Sequence, residues 1–362
     1  MSVGLPPTRT FVTGGAGFIG GELVAGLLED GGEVTVFDDL STAEPDWSAR
    51  FDDEARLTFV RGDAADPAAI GAAMLGHDRV VHLASGTDIA GGFGHPERDF
   101  VAGVVATEIV CESMRQLWIR ELWYASSGVI YGSPPRIPTA EGDGPLLPES
   151  HYAAAKLAGE AIISGFAHLY SWRAFAFRFG NTVGGRSNHG VDHDFVVKLL
   201  RDPGRLEILG DGTQAKPYVA VVDLVAGMRH AAAATEALPA DPMTVLNVGP
   251  EGTLSVRRVA EIVIDALDLR RGSVDLAFSG PSAVGGGGWP GDSLRVEFDT
   301  TALRSLGWRP RLTADTAVRD AATGIAARYR ASGRPLLTAL ERRTAAATVM
   351  MGAGPGHGPW PR

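Results

Sequence analysis

The stretch from Thr10 to Phe37 constrains this chain most. A short β-rich run, Thr10-Phe11-Val12-Thr13, stops at Gly14-Gly15-Ala16-Gly17-Phe18-Ile19-Gly20, and helical periodicity follows from Glu22 to Glu29. A second apolar strand, Val34-Thr35-Val36-Phe37, then ends in Asp38-Asp39. Gly14, Gly17 and Gly20 fall at GxxGxxG spacing. That spacing permits a tight turn, close approach of backbone to a pyrophosphate, and close packing of helix on strand. An acidic residue about 20 residues beyond such a loop accepts hydrogen bonds from an adenosine ribose and repels a 2′-phosphate. The expected ligand is therefore a dinucleotide, NAD in preference to NADP. Gly14, Gly17, Phe18, Ile19, Asp38 and Asp39 are its first candidate contacts.

The βα rhythm continues. Leu57 to Val60 reads as a strand, Pro67 to about Leu75 as a helix, and Arg79 to Ala84 as a strand. A helix through Val101 to Leu117 and a strand from Leu122 to Ala125, ending at Ser126-Ser127, come next. Alternation of this kind implies an α/β fold with a parallel, doubly wound sheet whose ligands lie at the carboxyl ends of its strands. Asp63, Ala64, Leu83, Ala84 and Ser85 then lie on the ligand-facing edge, and His82 reads as a packed strand residue.

The catalytic candidate is Tyr152-Ala-Ala-Ala-Lys156. Its spacing puts a phenol and an ammonium one turn apart on one helix face. A free phenol, with a pKa of about 10, is a poor base at neutral pH unless a nearby cation stabilises the phenolate. Ser127 ends a strand on the same edge and can polarise the reacting oxygen, which gives a Ser127, Tyr152 and Lys156 set without a metal. Ser126 reads equally as a turn or cap residue. There is no His/Cys cluster with metal spacing, no GxSxG elbow and no Walker loop.

At 362 residues the chain can hold two domains. A formal net charge of −10 argues against non-specific binding to nucleic acid or an anionic membrane, so the expected partner is small. The single cysteine, Cys111, rules out an intramolecular disulfide and reads as a core residue. The N-terminus has no apolar signal region, and no uninterrupted apolar run of about 18 residues occurs. A cytoplasmic protein is expected.

Taken in order, Thr13-Gly-Gly-Ala-Gly-Phe-Ile-Gly20, Asp38-Asp-Leu-Ser41, His82-Leu-Ala84, Ser126-Ser-Gly-Val-Ile-Tyr-Gly132 and Tyr152-xxx-Lys156 resemble the extended short-chain dehydrogenase/reductase family. The likeness is strongest to its UDP-galactose (UDP-glucose) 4-epimerases, and it runs on through Arg178-Phe-Gly-Asn181, Leu209 to Gln214, Tyr218 to Asp223, Leu246 to Gly249, Gly288 to Asp292 and Leu306 to Pro310. It implies a Rossmann domain over residues 1–180, with later segments returning to it, and a smaller mixed α/β substrate lobe over 181–340. A Gly- and Pro-rich tail, 345–362, is expected to lie outside the fold.

The resemblance further implies NAD as a bound cofactor, a UDP-sugar as substrate and a homodimer formed through the helices holding Tyr152 and Val101 to Leu117. Tyr152 would remove the O4 proton of the sugar, with C4 inverted through a transient 4-keto stage. Ser127, Tyr152, Asn181, Arg186, Lys216 and Asp292 would bind the substrate. Asp292 would hold the uridine ribose, and Lys216, Arg186 and Arg295 are the cations left for the diphosphate. Gly128-Val129 stands where 4,6-dehydratases carry an Asp-Glu pair and UDP-glucuronate decarboxylases a Glu, so those chemistries lack their acid and base.

Other positions depart from the family. Ala215 and Gly287 replace arginines, Gly103 replaces an Asn near the cofactor, and Ala90 to Gly94 lacks polar groups. Val296 lies near the position that gates the sugar pocket, where a small side chain would admit a bulky 2-substituent. Arg186 or Arg295 facing a C6 carboxylate would make the protein a UDP-glucuronate 4-epimerase instead, and a UDP-N-acetylhexosamine is a further candidate. A non-catalytic NAD-binding protein is the alternative of a different class.

Overall fold

The computed structural model describes residues 8–43, 47–86, 91–235, 242–279, 287–289, 291–338 and 341. The tail 345–362 and Ala90 lie outside the described residues.

In chain order, β1 (Arg9–Thr13), α1 (Phe18–Glu29), β2 (Glu33–Asp38), β3 (Leu57–Arg61), α2 (Pro67–Met74) and β4 (Arg79–His82) open the fold. Next come α3 (Pro96–Phe100), a π-helical turn (Val101–Val105), α4 (Ala106–Gln116), β5 (Glu121–Ser127), a 3-10 turn (Gly128–Tyr131), α5 (His151–Tyr170) and β6 (Arg173–Phe179). Then follow β7 (Asn181–Val183), α6 (Val191–Arg201), β8 (Arg205–Leu209), β9 (Ala215–Lys216), β10 (Tyr218–Ala220), α7 (Val221–Ala234) and β11 (Met243–Val248). The chain continues through β12 (Leu254–Ser255), α8 (Val256–Ala266), β13 (Asp275–Ser279), α9 (Thr301–Ser305) and α10 (Ala314–Ser332).

Seven strands form one sheet in the order β11-β6-β5-β4-β1-β2-β3, every pair parallel. A parallel sheet is covered on both faces, which is why β1, β4, β5 and β6 are buried almost without interruption. On one face Leu23, Val24 and Leu27 of α1 and Leu224, Val225 and Met228 of α7 join Val12, Trp123 and Phe177. On the other, Ile70 and Met74 of α2, Val110, Cys111 and Met114 of α4 and Ile163 of α5 join Phe11, Leu122 and Tyr124. Strand order reverses between β1 and β4, and the crevice for a ligand opens at the carboxyl ends of these strands.

The chain leaves the sheet after β6 and builds a second core from α6, α8 and α10, among them Phe195, Val259, Ile262 and Ile325. The return to the sheet is by β11, which pairs with β6 from Met243↔Ala174 to Val248↔Phe179. Segments late in the sequence therefore belong to the sheet domain.

Between α3 and α4 the helix widens into the π turn at Val101–Val105. Such turns occur where a helix must accommodate a neighbour. Here the neighbour is α5: a Cβ built on Gly103 would lie 2.7 Å from the Cβ of Ala155. The carbonyl of Gly103 accepts a hydrogen bond from the Thr107 hydroxyl at 2.7 Å. The missing side chain at Gly103 thus has a packing reason, because α5 occupies that space. Gly103→Ala is expected to destabilise the protein by about 1–3 kcal/mol through overpacking, despite the better helix propensity of Ala. Chemical denaturation checks this, with part of the loss recovered in Gly103→Ala/Ala155→Gly.

Candidate active site

The glycine loop is built for close approach. Gly14 has φ +70°, and a Cβ there would meet the Ala84 backbone nitrogen at 2.7 Å; a Cβ on Gly20 would meet the Gly14 carbonyl at 2.2 Å. Only glycine at both positions lets α1 start directly above β1 and beside the end of β4. The N-cap of α1 is Gly17, no side chain caps it, and its first turn carries no acidic residue. Its first-turn N–H groups and the helix dipole therefore favour an anion there. Asp38 closes β2, its Oδ2 accepting from the Ala16 N–H at 2.9 Å and its Oδ1 from the Leu40 N–H at 2.8 Å. Burial raises its pKa while those two bonds oppose the rise. These groups fit a dinucleotide: the N–H groups of Gly17, Phe18 and Ile19 would hold a pyrophosphate, and Asp38 would receive the adenosine ribose.

The other expected cofactor contacts follow the sheet edge. Asp39 caps its own loop through the Ser41 N–H at 2.8 Å, and Asp63 does the same with the Ala65 N–H. Ala64 packs partly into the core beside Ile70. Leu83, Ala84 and Ser85 leave β4 next to Gly14, with the Leu83 N–H on the Thr13 carbonyl at 3.1 Å. His82 is buried between the Thr13 hydroxyl, 2.7 Å from Nδ1, and the Thr107 hydroxyl, 3.1 Å from Nε2. Burial, with Lys156 adding to it, pushes its pKa down to about 3, so the ring stays neutral.

Ser127, Tyr152 and Lys156 come together. Ser150 caps α5 by accepting from the Ala153 N–H at 3.2 Å, which sets Tyr152 in the first turn. Ser127 ends β5 and caps the 3-10 turn that follows, accepting from the Val129 N–H at 3.4 Å. Burial pushes the Tyr152 phenol up to about 12; the hydrogen bond with Ser127 opposes the rise, and the Asp99 carboxylate adds to it. The Lys156 ammonium donates to the Ala125 carbonyl at 2.7 Å and lies 4.9 Å from the ring centre of Tyr124 and 5.8 Å from that of Tyr152. Burial brings its pKa down to about 7, opposed by the carboxylate of Glu160. The Ala125 carbonyl thus positions the Lys156 ammonium beside the Tyr152 ring.

The substrate-side residues are divided. Asn181 begins β7, which pairs with β10, and its side chain hydrogen-bonds the Tyr218 hydroxyl. Lys216, expected as a cation open to a diphosphate, is buried, donates to the Ser293 carbonyl, and lies 3.4 Å from the Asp292 carboxylate. Asp292 in turn accepts from the Gly288 N–H at 3.1 Å. The two residues hold one another, with Gly288 and Ser293 bonded to them.

Arg186 was offered as a cation for the diphosphate. It lines a cleft with Ala16, Gly17, Phe18, Gly21, Trp47 and Arg50, on the glycine-loop side. The physical reason is the course of the chain after β7: Gly184 packs on the Phe18 ring, and the Asn188 side chain donates to the Thr42 carbonyl at 2.7 Å. Arg295, also offered as a diphosphate cation, is exposed and paired with Glu297 at 2.7 Å. Val296 is buried against Tyr131 and Phe298.

Two acidic residues escaped the sequence reading. Glu160 stands four residues beyond Lys156, so its helical spacing was a usable signal; Asp99 reaches Tyr152 only through the tertiary fold. Among the described residues no group of three or more His, Cys, Asp or Glu side chains could hold a metal ion, and no helix is long and apolar enough to cross a membrane.

The pattern of the NAD dependent epimerase/dehydratase family matches residues 10–249. The UDP-glucose 4-epimerase of Mycolicibacterium smegmatis is 33% identical over 312 residues, covering 84% of this chain and 94% of that protein. A crystal structure of UDP-galactose 4-epimerase superposes with a TM-score of 0.78 at 36% identity, covering 88% of this chain and 99% of that one. The Thermus thermophilus UDP-glucose 4-epimerase in complex with NAD gives a TM-score of 0.74 at 28% identity, over 88% of this chain and 98% of that one. The chain belongs to the NAD-dependent epimerase/dehydratase family of extended short-chain dehydrogenases/reductases.

Proposed function

We propose that the protein is a nucleotide-sugar 4-epimerase that inverts C4 of a UDP-hexose of the glucose/galactose type through a transient 4-keto sugar. One observation carries the reading: Ser127, Tyr152 and Lys156 converge at the carboxyl edge of the sheet, beside the loop that fits the dinucleotide. NAD is the cofactor of the family, and when bound it supplies a hydride acceptor that also returns the hydride.

The rest falls to the chain. Tyr152 takes the O4 proton, and Ser127 hydrogen-bonds the reacting oxygen. Lys156 stabilises the phenolate while the proton is away. Returning the same proton from Tyr152 once the keto sugar has turned over completes inversion, with no net redox change. In the 3-10 turn, Gly128 and Val129 offer no acid or base for elimination across C5 and C6. That favours the epimerase side of the family over the dehydratase side.

The positions of the two arginines favour a neutral hexose over a glucuronate. Arg186 sits by the glycine loop and Arg295 is paired with Glu297, so neither serves as a ready partner for a C6 carboxylate. An assembled base and cation also favours an enzyme over a non-catalytic NAD-binding protein. For the expected homodimer, α4 and α5 pack side by side, and Leu169 and Tyr170 are exposed at the end of α5.

Incubation with UDP-glucose, UDP-glucuronate and UDP-N-acetylglucosamine, followed by NMR of the anomeric protons, is expected to show C4 inversion of UDP-glucose fastest; no inversion in any of the three overturns the proposal. Tyr152→Phe is expected to lower turnover at least ~100-fold, the scale of a lost general base, while the protein still purifies with NAD.

A further inference from the structure

Beneath the catalytic residues lies a buried polar network that the reaction does not touch. The Glu160 carboxylate accepts from Arg178 twice, Nε at 3.0 Å and Nη2 at 2.7 Å, and from the Ser126 hydroxyl. Glu160 and Arg178 are both nearly inaccessible, at 6% and 4%. Arg178 Nη1 donates to the Tyr131 hydroxyl and the Glu141 carbonyl, each at 2.9 Å, and the Tyr131 hydroxyl donates to Asn247 Oδ1 at 2.7 Å. The Asn247 amide nitrogen donates to the Thr139 and Asp299 carbonyls at 3.0 Å. The network thus joins α5, β5, β6 and β11.

We propose, on the epimerase reading above, that Glu160 is a positioning residue for the reaction. Held by Arg178 and Ser126, its carboxylate supplies the counter-charge that keeps Lys156 an ammonium and seats α5 on β5 so that Tyr152 meets Ser127. Two observations support this. Tyr152, Lys156 and Glu160 are spaced four apart on α5, so they share one face. The hydroxyls of Ser126 and Ser127, successive residues at the end of β5, both engage α5, one at Glu160 and one at Tyr152.

The groups facing Lys156 make Glu160 the residue that matters. From β5 come the Tyr124 ring and the Ala125 carbonyl, and from β4 the neutral His82. From α5 itself come Tyr152 and Glu160, with Arg178 of β6 on the far side of Glu160. Among these, Glu160 is the group that favours the charged form of Lys156 against burial. Breaking a buried pair leaves an uncompensated charge, so Arg178 is needed to hold Glu160 ionised.

The test is the pH dependence of C4 inversion in the NAD-loaded enzyme. Glu160→Gln removes the counter-charge, so Lys156 loses its proton at lower pH. The alkaline limb is then expected to move to lower pH by about one unit. Ser126→Ala keeps the charge and loosens the seat: turnover falls severalfold with the alkaline limb in place. If Glu160→Gln does not fold, Glu160→Gln/Arg178→Gln, which leaves no lone buried charge, is compared with Arg178→Gln, and its alkaline limb is expected at the lower pH of the two. An unshifted alkaline limb in the folded variant overturns the role of Glu160 and leaves the epimerase reading intact. A wild-type enzyme that inverts no sugar nucleotide overturns both.

Discussion

Everything at the active edge depends on how closely α1 can approach the ends of β1 and β4. The Gly14 backbone has a positive φ and no room for a Cβ against Ala84, and Gly20 has none against the Gly14 carbonyl. Because those contacts are backbone on backbone, they cannot be relieved by side-chain movement. The result is a helix whose uncapped start sits at the switch point of a parallel sheet, beside a carboxylate that closes β2. A cofactor bound there would share the carboxyl edge of the sheet with the end of β5 and the start of α5.

The second requirement is registration of α5 against that edge. Helix α5 is seated by close packing on one side, where Gly103 meets Ala155, and by the Glu160 network on the other. Gly159 reinforces the approach, since a Cβ there would overlap the Tyr124 hydroxyl at 2.3 Å. The two glycines let Tyr124 and the π turn flank Lys156 closely, and this desolvation is what moves the Lys156 pKa so far down. A buried amine that titrates near neutrality responds strongly to one neighbouring charge, which gives Glu160 its leverage.

The part of the chain built around α6, α8 and α10 follows different rules. Its core is apolar and well packed, yet its polar groups face one another: Lys216 with Asp292, Asn181 with Tyr218. Asp192, at the start of α6, is buried with one carboxylate oxygen unpartnered, and burial raises its pKa to about 7. With Lys216 already engaged by Asp292, any anion bound there would have to compete for that ammonium.

Local chemistry determined much of this protein. The strand, glycine loop, helix and Asp38 could be read directly, because a GxxGxxG turn and an acidic strand end are requirements of backbone geometry and charge that few other residues satisfy. The parallel sheet followed from βα alternation, and Tyr152 with Lys156 from helical spacing, since both are periodicities that survive in one dimension. What only the tertiary structure decided were pairings between distant segments. The sequence shows Arg186 as a charge but not the cleft beside Phe18 in which it lies, and Lys216 as a charge but not its pairing with Asp292. Gly103 read as a lost cofactor contact and proved to be room made for α5. A charge shows in sequence, but whether it is free depends on which remote partner the packing brings within reach.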